Sequence, residues 1–267
     1  MTAASPVTAP RIKSHGYFCW HELMTKDTNA SQDFYTVVAG WNAQKMPMPG
    51  MDYTVFQTGA QGMAGMMGMP DDAAAMGAPS QWVGYVAVTD IAATIAEAVQ
   101  RGGSVYHEPT TVPTVGTFAL LADPWGAAFA VLQPERNGDL VPPAPIPGDF
   151  AWNELYADDP EGAIAFYQAL FGWDLQYSHD MGPEGKYHLL GLNGRQFVGL
   201  WKRPQQVGKS KWLSYIAVAD VDAAVKSAKA QGGQVLVEPM EVPGGARVAQ
   251  VVDNVGAHIA LHWGRAS

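Results

Sequence analysis

The sequence predicts an α+β protein made of four similar modules set in two consecutive domains. Three observations predict it. First, a Trp-x-Glu-Leu opening occurs twice, at Trp20-His21-Glu22-Leu23 and Trp152-Asn153-Glu154-Leu155. Each opening leads to an aromatic pair and a Gly-Trp step: Trp20 and Trp152, Phe34 and Phe166, and Trp41 and Trp173 are all 132 residues apart. Second, residues 82–90 are echoed by residues 212–220, 130 residues later. Third, Gly102-Gly103, Glu108-Pro109 and Asp123…Gly126-Ala127 recur at that same shift. Ordered blocks at constant shifts identify a tandem duplication, and a duplication fixes the architecture before any single element is assigned.

The elements follow in order. Residues 14–25 read as an aromatic-rich strand with interleaved polar residues. Asp27, Thr28 and Asn29 offer N-caps for a helix carrying Phe34, Tyr35 and Val38, and Gly40 stops it. Strands are expected at 53–58 and 61–67, then a loop at 70–79. Residues 82–88 form a strand, and Asp90 caps a helix with Ile91, Ile95, Ala98 and Val99 on one face that ends at Gly102-Gly103. Strands at 105–106, 117–121 and 127–132 follow, with a turn at Asp123-Pro124-Trp125-Gly126. Residues 134–148 are a Pro-rich, semi-rigid linker. The programme then repeats. A strand at 152–156 precedes a helix with Asp159 as N-cap, Pro160 at its first position and Gly172 at its end. Strands at 187–192, 197–201 and 212–218, a helix capped by Asp220, and strands at 235–237, 247–252 and 257–263 complete it. The expected boundaries are a disordered tail at 1–13, domain one at 14–133, the linker at 134–148 and domain two at 149–264. Each domain is large enough to bury its own core.

The 267 residues are 48% hydrophobic and 15% charged, with 16 basic against 25 acidic side chains and a net charge of −9. An acidic chain without a basic patch is repelled by nucleic acid and by anionic membranes, which argues against both as partners. The one cysteine, Cys19, excludes an internal disulfide and reads as a small apolar strand residue. The polar, Ala/Pro/Thr-rich start has no apolar leader, and no run approaches ~18 apolar residues, so a cytoplasmic protein is expected.

Phe34-Tyr35…Gly40-Trp41, Phe166-Tyr167…Gly172-Trp173 and the closing turns at 123–127 and 253–257 resemble the vicinal oxygen chelate superfamily of glyoxalases, bleomycin-resistance proteins and dioxygenases. The tandem layout and Trp-x-Glu-Leu openings are similar to its two-domain glyoxalase-like or hydroxylase group. The resemblance spans about residues 15–264. It implies βαβββ modules paired into two glyoxalase/bleomycin-resistance-type domains, each curved into a trough. It also implies where metal ligands would stand. The first-strand histidine lies fourteen residues before the Phe of Phe-Tyr, where this chain has Trp20 and Trp152. The partner-strand histidine is replaced by Trp82 and Trp212. The last-strand glutamate, seven residues after the turn aspartate, is replaced by Ala130 and Ala260. None of these six binds a divalent metal, so no metal or other cofactor is expected.

Strand alternation puts Glu22 on the face of Trp20 and Glu154 on that of Trp152. It also groups Ser214 with Trp212, and His258 and His262 with Ala260, while His188 joins from the side. Two readings stand. In one, Glu154 with His258 or His262, and Glu22 in the first half, transfer protons or hold a shifted divalent metal in domain two. In the other, they are hydrogen-bonded lining. Trp20, Trp82, Trp152 and Trp212, with Ser214 and His188, suit a flat or apolar ligand. The methionines from Met46 to Met76, Met63 and Met66 among them, read as adaptable lining or core rather than a Cu(I) site. The expected function is metal-independent binding of an aromatic or apolar small molecule by a monomer or homodimer. The alternative is a glyoxalase- or hydroxylase-type enzyme.

Overall fold

The computed structural model describes residues 12–48, 51–75, 77–136 and 141–264. Nearly all of the expected tail, Met76 and part of the linker lie outside the described residues. The first module is β1 (Phe18–Thr25), α1 (Thr28–Val38), β2 (Asn42–Met48), β3 (Met51–Thr58) and β4 (Gln61–Gly68). A short helix, α2 (Asp71–Ala75), leads to β5 (Gln81–Ala87), α3 (Ile91–Gln100), β6 (Ser104–Val112), β7 (Gly116–Ala122) and β8 (Ala128–Pro134). The second half repeats the pattern. It runs β9 (Phe150–Ala157), α4 (Pro160–Phe171), β10 (Asp174–Asp180), β11 (Lys186–Leu192) and β12 (Arg195–Lys202). It ends with β13 (Lys211–Ala217), α5 (Val221–Ala230), β14 (Gln234–Glu241), β15 (Arg247–Val252) and β16 (His258–Trp263). This is the βαβββ unit four times. Two of its strands, β2 and β10, escape the sequence reading. Both are sheet edges, where polar residues and Pro47 replace apolar alternation.

Each long helix opens the same way. The carboxylates of Asp27, Asp90, Asp159 and Asp220 accept from the backbone N–H three residues on, satisfying a donor the helix leaves free. Each half folds into one eight-stranded sheet, β2-β3-β4-β1-β5-β8-β7-β6 and β10-β11-β12-β9-β13-β16-β15-β14. At the centre β1 runs antiparallel to β5, flanked by parallel β4 and β8. The second sheet matches it around β9 and β13.

The halves do not bury separate cores, contrary to what their size suggests. The inner faces of the two sheets meet with the helices between them: α1 packs on α5, and α3 on α4. One core joins Val86, Leu121 and Phe129 of the first half to Phe166, Tyr167, Phe171 and Trp173 of the second. The other joins Leu23, Phe34, Tyr35 and Trp41 to Ile216, Val225, Val251 and Ile259. The repeated motifs serve this junction. Tyr35 Oη donates to Asp253 Oδ2 at 3.1 Å, and Trp82 Nε1 donates to Tyr35 Oη at 2.7 Å. Tyr167 Oη likewise donates to Asp123 Oδ2 at 3.1 Å, and Trp212 Nε1 to Tyr167 Oη at 3.0 Å. The Phe-Tyr helix of each half is thus tied to the closing turn of the other. On the pseudo-two-fold axis, His21 and its counterpart Asn153 are in direct contact, Nε2 to Oδ1 at 2.8 Å. No helix among the described residues is long and apolar enough to cross a membrane.

Candidate functional site

With the inner faces consumed by the cores, the outer faces are left for function. The pairing registers decide which side chains stand there. Trp20 lies opposite Tyr85, Glu22 opposite Val83, and Tyr85 beside Ala130, so Trp20, Glu22, Met24, Val83, Tyr85 and Ala130 share the outer face of the first sheet. In the second sheet that face carries Trp152, Glu154, Tyr156, Leu213, Tyr215 and Ala260. Of these outer-face residues, Trp20, Glu22, Met24 and Tyr85 in the first half and Glu154, Tyr156 and Tyr215 in the second line concave surface.

A buried glutamate sits in the middle of each trough. Glu22 is 8% exposed and accepts from Tyr53 Oη at 2.8 Å and Tyr85 Oη at 2.9 Å. Tyr53 in turn accepts from Trp20 Nε1 at 3.2 Å. Glu154 is 5% exposed and accepts from Tyr187 Oη at 2.7 Å and Trp201 Nε1 at 3.2 Å, while Trp152 Nε1 donates to Tyr187 Oη at 3.2 Å. Tyrosine can reach the carboxylate because glycine stands beside it. A Cβ on Gly65 or Gly199 would lie 1.9 Å from the hydroxyl of Tyr53 or Tyr187. Burial raises the pKa of both glutamates, and their phenol and indole donors oppose the rise. The same burial, with the adjacent carboxylate, raises Tyr53, Tyr85, Tyr187 and Tyr215.

The troughs differ at their edges. Where the second has Tyr156, Trp201, Lys211, His258 and His262, the first has Met24, Met67, Gln81, Ala128 and Leu132. Lys211 Nζ is 2.6 Å from His258 Nδ1. Burial, and then the lysine, lower the His258 pKa to about 3. His262, 8% exposed, is lowered by burial, and its Nδ1 has no hydrogen-bond partner.

Several residues expected in the troughs stand elsewhere. Trp82 pairs with Leu23 on the inner face and is 6% exposed in the core, and Trp212 packs on the equivalent core. Ser214 also faces inward and donates to Asn153 Oδ1 at 3.0 Å. Met63 and Met66 belong to the inter-sheet core, while Met67 and Met69 face outward. His188 points away from the trough and meets Ser178 Oγ at 2.8 Å. The cause is parity: Trp82 and Tyr85 are three apart, so they cannot share a face, and the register gives the trough to Tyr85. Trp20, Trp152, Glu22, Glu154, His258 and His262 do stand on the outer faces. Glu154 makes its hydrogen bonds to Tyr187 and Trp201, and neither histidine is joined to it. Tyr53, Tyr85, Tyr187, Tyr215, Tyr156, Trp201 and Lys211 went unnoticed in the sequence. Only Tyr85 and Tyr215 had a visible signal, inside the second repeated block.

Each trough offers one carboxylate, already engaged by aromatic donors. No group of three His, Cys, Asp or Glu side chains gathers anywhere among the described residues. This donor set does not fit the divalent ion that the resemblance implies.

Comparisons with known proteins agree with the fold. A family model described as Glyoxalase/Bleomycin resistance protein/Dioxygenase superfamily matches residues 150–261, and one described as Bleomycin resistance protein-like N-terminal matches residues 18–59. "Putative glyoxylase CFP32" of Mycobacterium tuberculosis is 33% identical over 242 residues, covering 89% of this chain and 91% of that protein. "Anthracycline biosynthesis protein DnrV" of Streptomyces peucetius is 32% identical over 261 residues, covering 91% of each. Among solved structures, the Mn(II)-bound glyoxalase from Novosphingobium aromaticivorans superposes with a TM-score of 0.63 at 16% identity. That alignment covers 95% of this chain and 82% of that one, and it speaks to the fold alone.

Proposed function

Because the chain belongs to the glyoxalase/bleomycin resistance/dioxygenase superfamily, we propose that it uses that fold without a metal, as a small-molecule binding protein for flat aromatic or apolar ligands. The observation that carries this reading is the cage present in both halves. A buried glutamate, Glu22 or Glu154, is ringed by phenol and indole donors beside a half-exposed tryptophan, Trp20 or Trp152. A ligand's ring stacks on the exposed indole, and its polar group meets the caged carboxyl. Pockets of this make-up, mostly apolar with a few fixed polar groups, suit small molecules. The name of DnrV places that relative in anthracycline biosynthesis. The fused aromatic rings of an anthracycline make a flat ligand of the class this reading expects.

The test uses protein freed of metal by a chelator, titrated with hydroxylated anthraquinones and followed by tryptophan fluorescence and thermal unfolding. Ligand at a hundred times its Kd should stabilise the protein by about 2.7 kcal/mol, a rise of roughly 5–10 °C in Tm. Trp20→Leu and Trp152→Leu should each weaken binding. Absence of binding across a broad set of flat aromatics removes this reading. A turnover that Glu154→Gln abolishes replaces it with an enzymatic one.

A further inference from the structure

We propose that the second trough contains an anion subsite, in which Lys211, held in place by His258, receives an anionic oxygen carried by a flat aromatic ligand. The proposal rests on the binding function above and names the ligand's chemistry at one of the two sites.

Lys211 opens β13, paired with Tyr156 across β9, and its register puts it on the outer face with Leu213 and Tyr215. It is half-buried, and it lines the trough together with His258, Tyr156 and Gln250. Its Nζ meets His258 Nδ1 at 2.6 Å, which takes one of the ammonium's hydrogens on a neutral imidazole. The remaining hydrogens have no anion. The ion pairs among the described residues join Arg101, Arg203, Lys229 and Arg247 to carboxylates, and none involves Lys211. Glu154 stands next on the same face but gives its oxygens to Tyr187 and Trp201. A cation withdrawn from water without a counter-ion is unfavourable, and an incoming anion relieves that penalty. Burial lowers the Lys211 pKa, in keeping with an amine that lacks a charge partner.

The walls around it suit a ring. Tyr156 and Trp201 meet edge-to-face with centroids 5.6 Å apart, and Val248, packed against them, adds apolar surface. Gln250 Nε2 donates to Tyr156 Oη at 2.9 Å, which fixes the phenol. The first trough is a built-in control. Its counterparts to Lys211 and His258 are Gln81 and Ala128, and those to Tyr156 and Trp201 are Met24 and Met67, so it offers apolar surface without the charge. His258 acts through Lys211 and is a positioning residue.

The experiment compares anthracene-9-carboxylate with the neutral anthracene-9-methanol, measured by ligand fluorescence at low ionic strength. The wild-type protein, Lys211→Met, Lys211→Arg, His258→Leu and Gln81→Leu are compared, each checked by circular dichroism and thermal unfolding. Wild type should bind the carboxylate about tenfold tighter than the alcohol. Lys211→Met should abolish that preference while the alcohol's affinity stays within about twofold, Lys211→Arg should retain part of it, and Gln81→Leu should leave it intact. His258→Leu should lower the preference without lowering affinity for the alcohol, a change that loss of packing alone does not produce. Equal binding of the two probes by wild type, or a Lys211→Met variant that loses both alike, overturns the subsite and leaves the binding function standing. If folded wild type binds neither probe, the binding function falls and takes the subsite with it.

Discussion

Replacing Gly199 with alanine perturbs the second cage without removing any of its polar atoms. The added methyl carbon would lie 1.9 Å from Tyr187 Oη, 2.5 Å from its Cζ and 2.9 Å from Trp152 Nε1. No rotation of a methyl group relieves such overlaps, so Tyr187 must leave its place. It then gives up its hydrogen bond to Glu154 and the one it accepts from Trp152. A hydrogen bond to a charged group contributes about 1.5–3 kcal/mol and a neutral one about 0.5–1.5 kcal/mol, so the expected loss is roughly 2–4 kcal/mol. For a chain of this size that is a fall of roughly 5–15 °C in Tm. Urea unfolding of wild type, Gly199→Ala, Tyr187→Phe and the double variant supplies the assay. Tyr187→Phe alone should lose a similar amount. The double variant should lose less than the sum of the two, because each single change gives up the same two hydrogen bonds of the Tyr187 hydroxyl. Additive effects, or a Gly199→Ala variant within about 0.5 kcal/mol of wild type, would refute the account of the cage.

Two further predictions follow from the core. His21 is 5% exposed, and burial holds its pKa at about 4 against an ordinary 6.5, with Asn153 opposing that shift. Its imidazole is therefore neutral when folded, and the unfolded chain takes up the proton first. The stability this contributes is complete above pH 6.5 and is lost as pH falls through 4, a loss of about 3 kcal/mol that His21→Gln should largely remove from a pH series of urea unfolding curves. Because both cores combine the two halves, residues 12–136 or 141–264 expressed alone should show no cooperative unfolding, whereas the two mixed should regain it. A half that melts cooperatively alone contradicts the interlocked architecture.

Much of this fold is legible in the sequence because duplication doubles every signal. The four aspartate caps, the Phe-Tyr helices and the closing turns are all readable as local chemistry. Their partnership is not: Tyr35 bonds to Asp253 and Tyr167 to Asp123, across 218 and 44 residues, and no periodicity announces a contact between halves. The troughs are half legible. Glu22 and Glu154 follow from alternation along one strand. Trp82 and Trp212 mislead because the resemblance supplies a ligand position in the partner strand, whereas facing is set by register against β1 and β9. Tyr53 and Tyr187 escape notice because they are 134 residues apart, outside both repeat shifts, and they reach their glutamates only past a glycine on a neighbouring strand.

Isothermal titration of one flat aromatic ligand into chelator-treated protein, with and without added Mn(II) or Zn(II), bears most directly on the idea that indoles, phenols and caged carboxyls have replaced a metal centre here. Elemental analysis of the same sample accompanies it. The affinity should be the same with and without the ion, and the protein as purified should hold well under one equivalent of any divalent metal. Binding that appears only when a stoichiometric ion is restored would contradict the account.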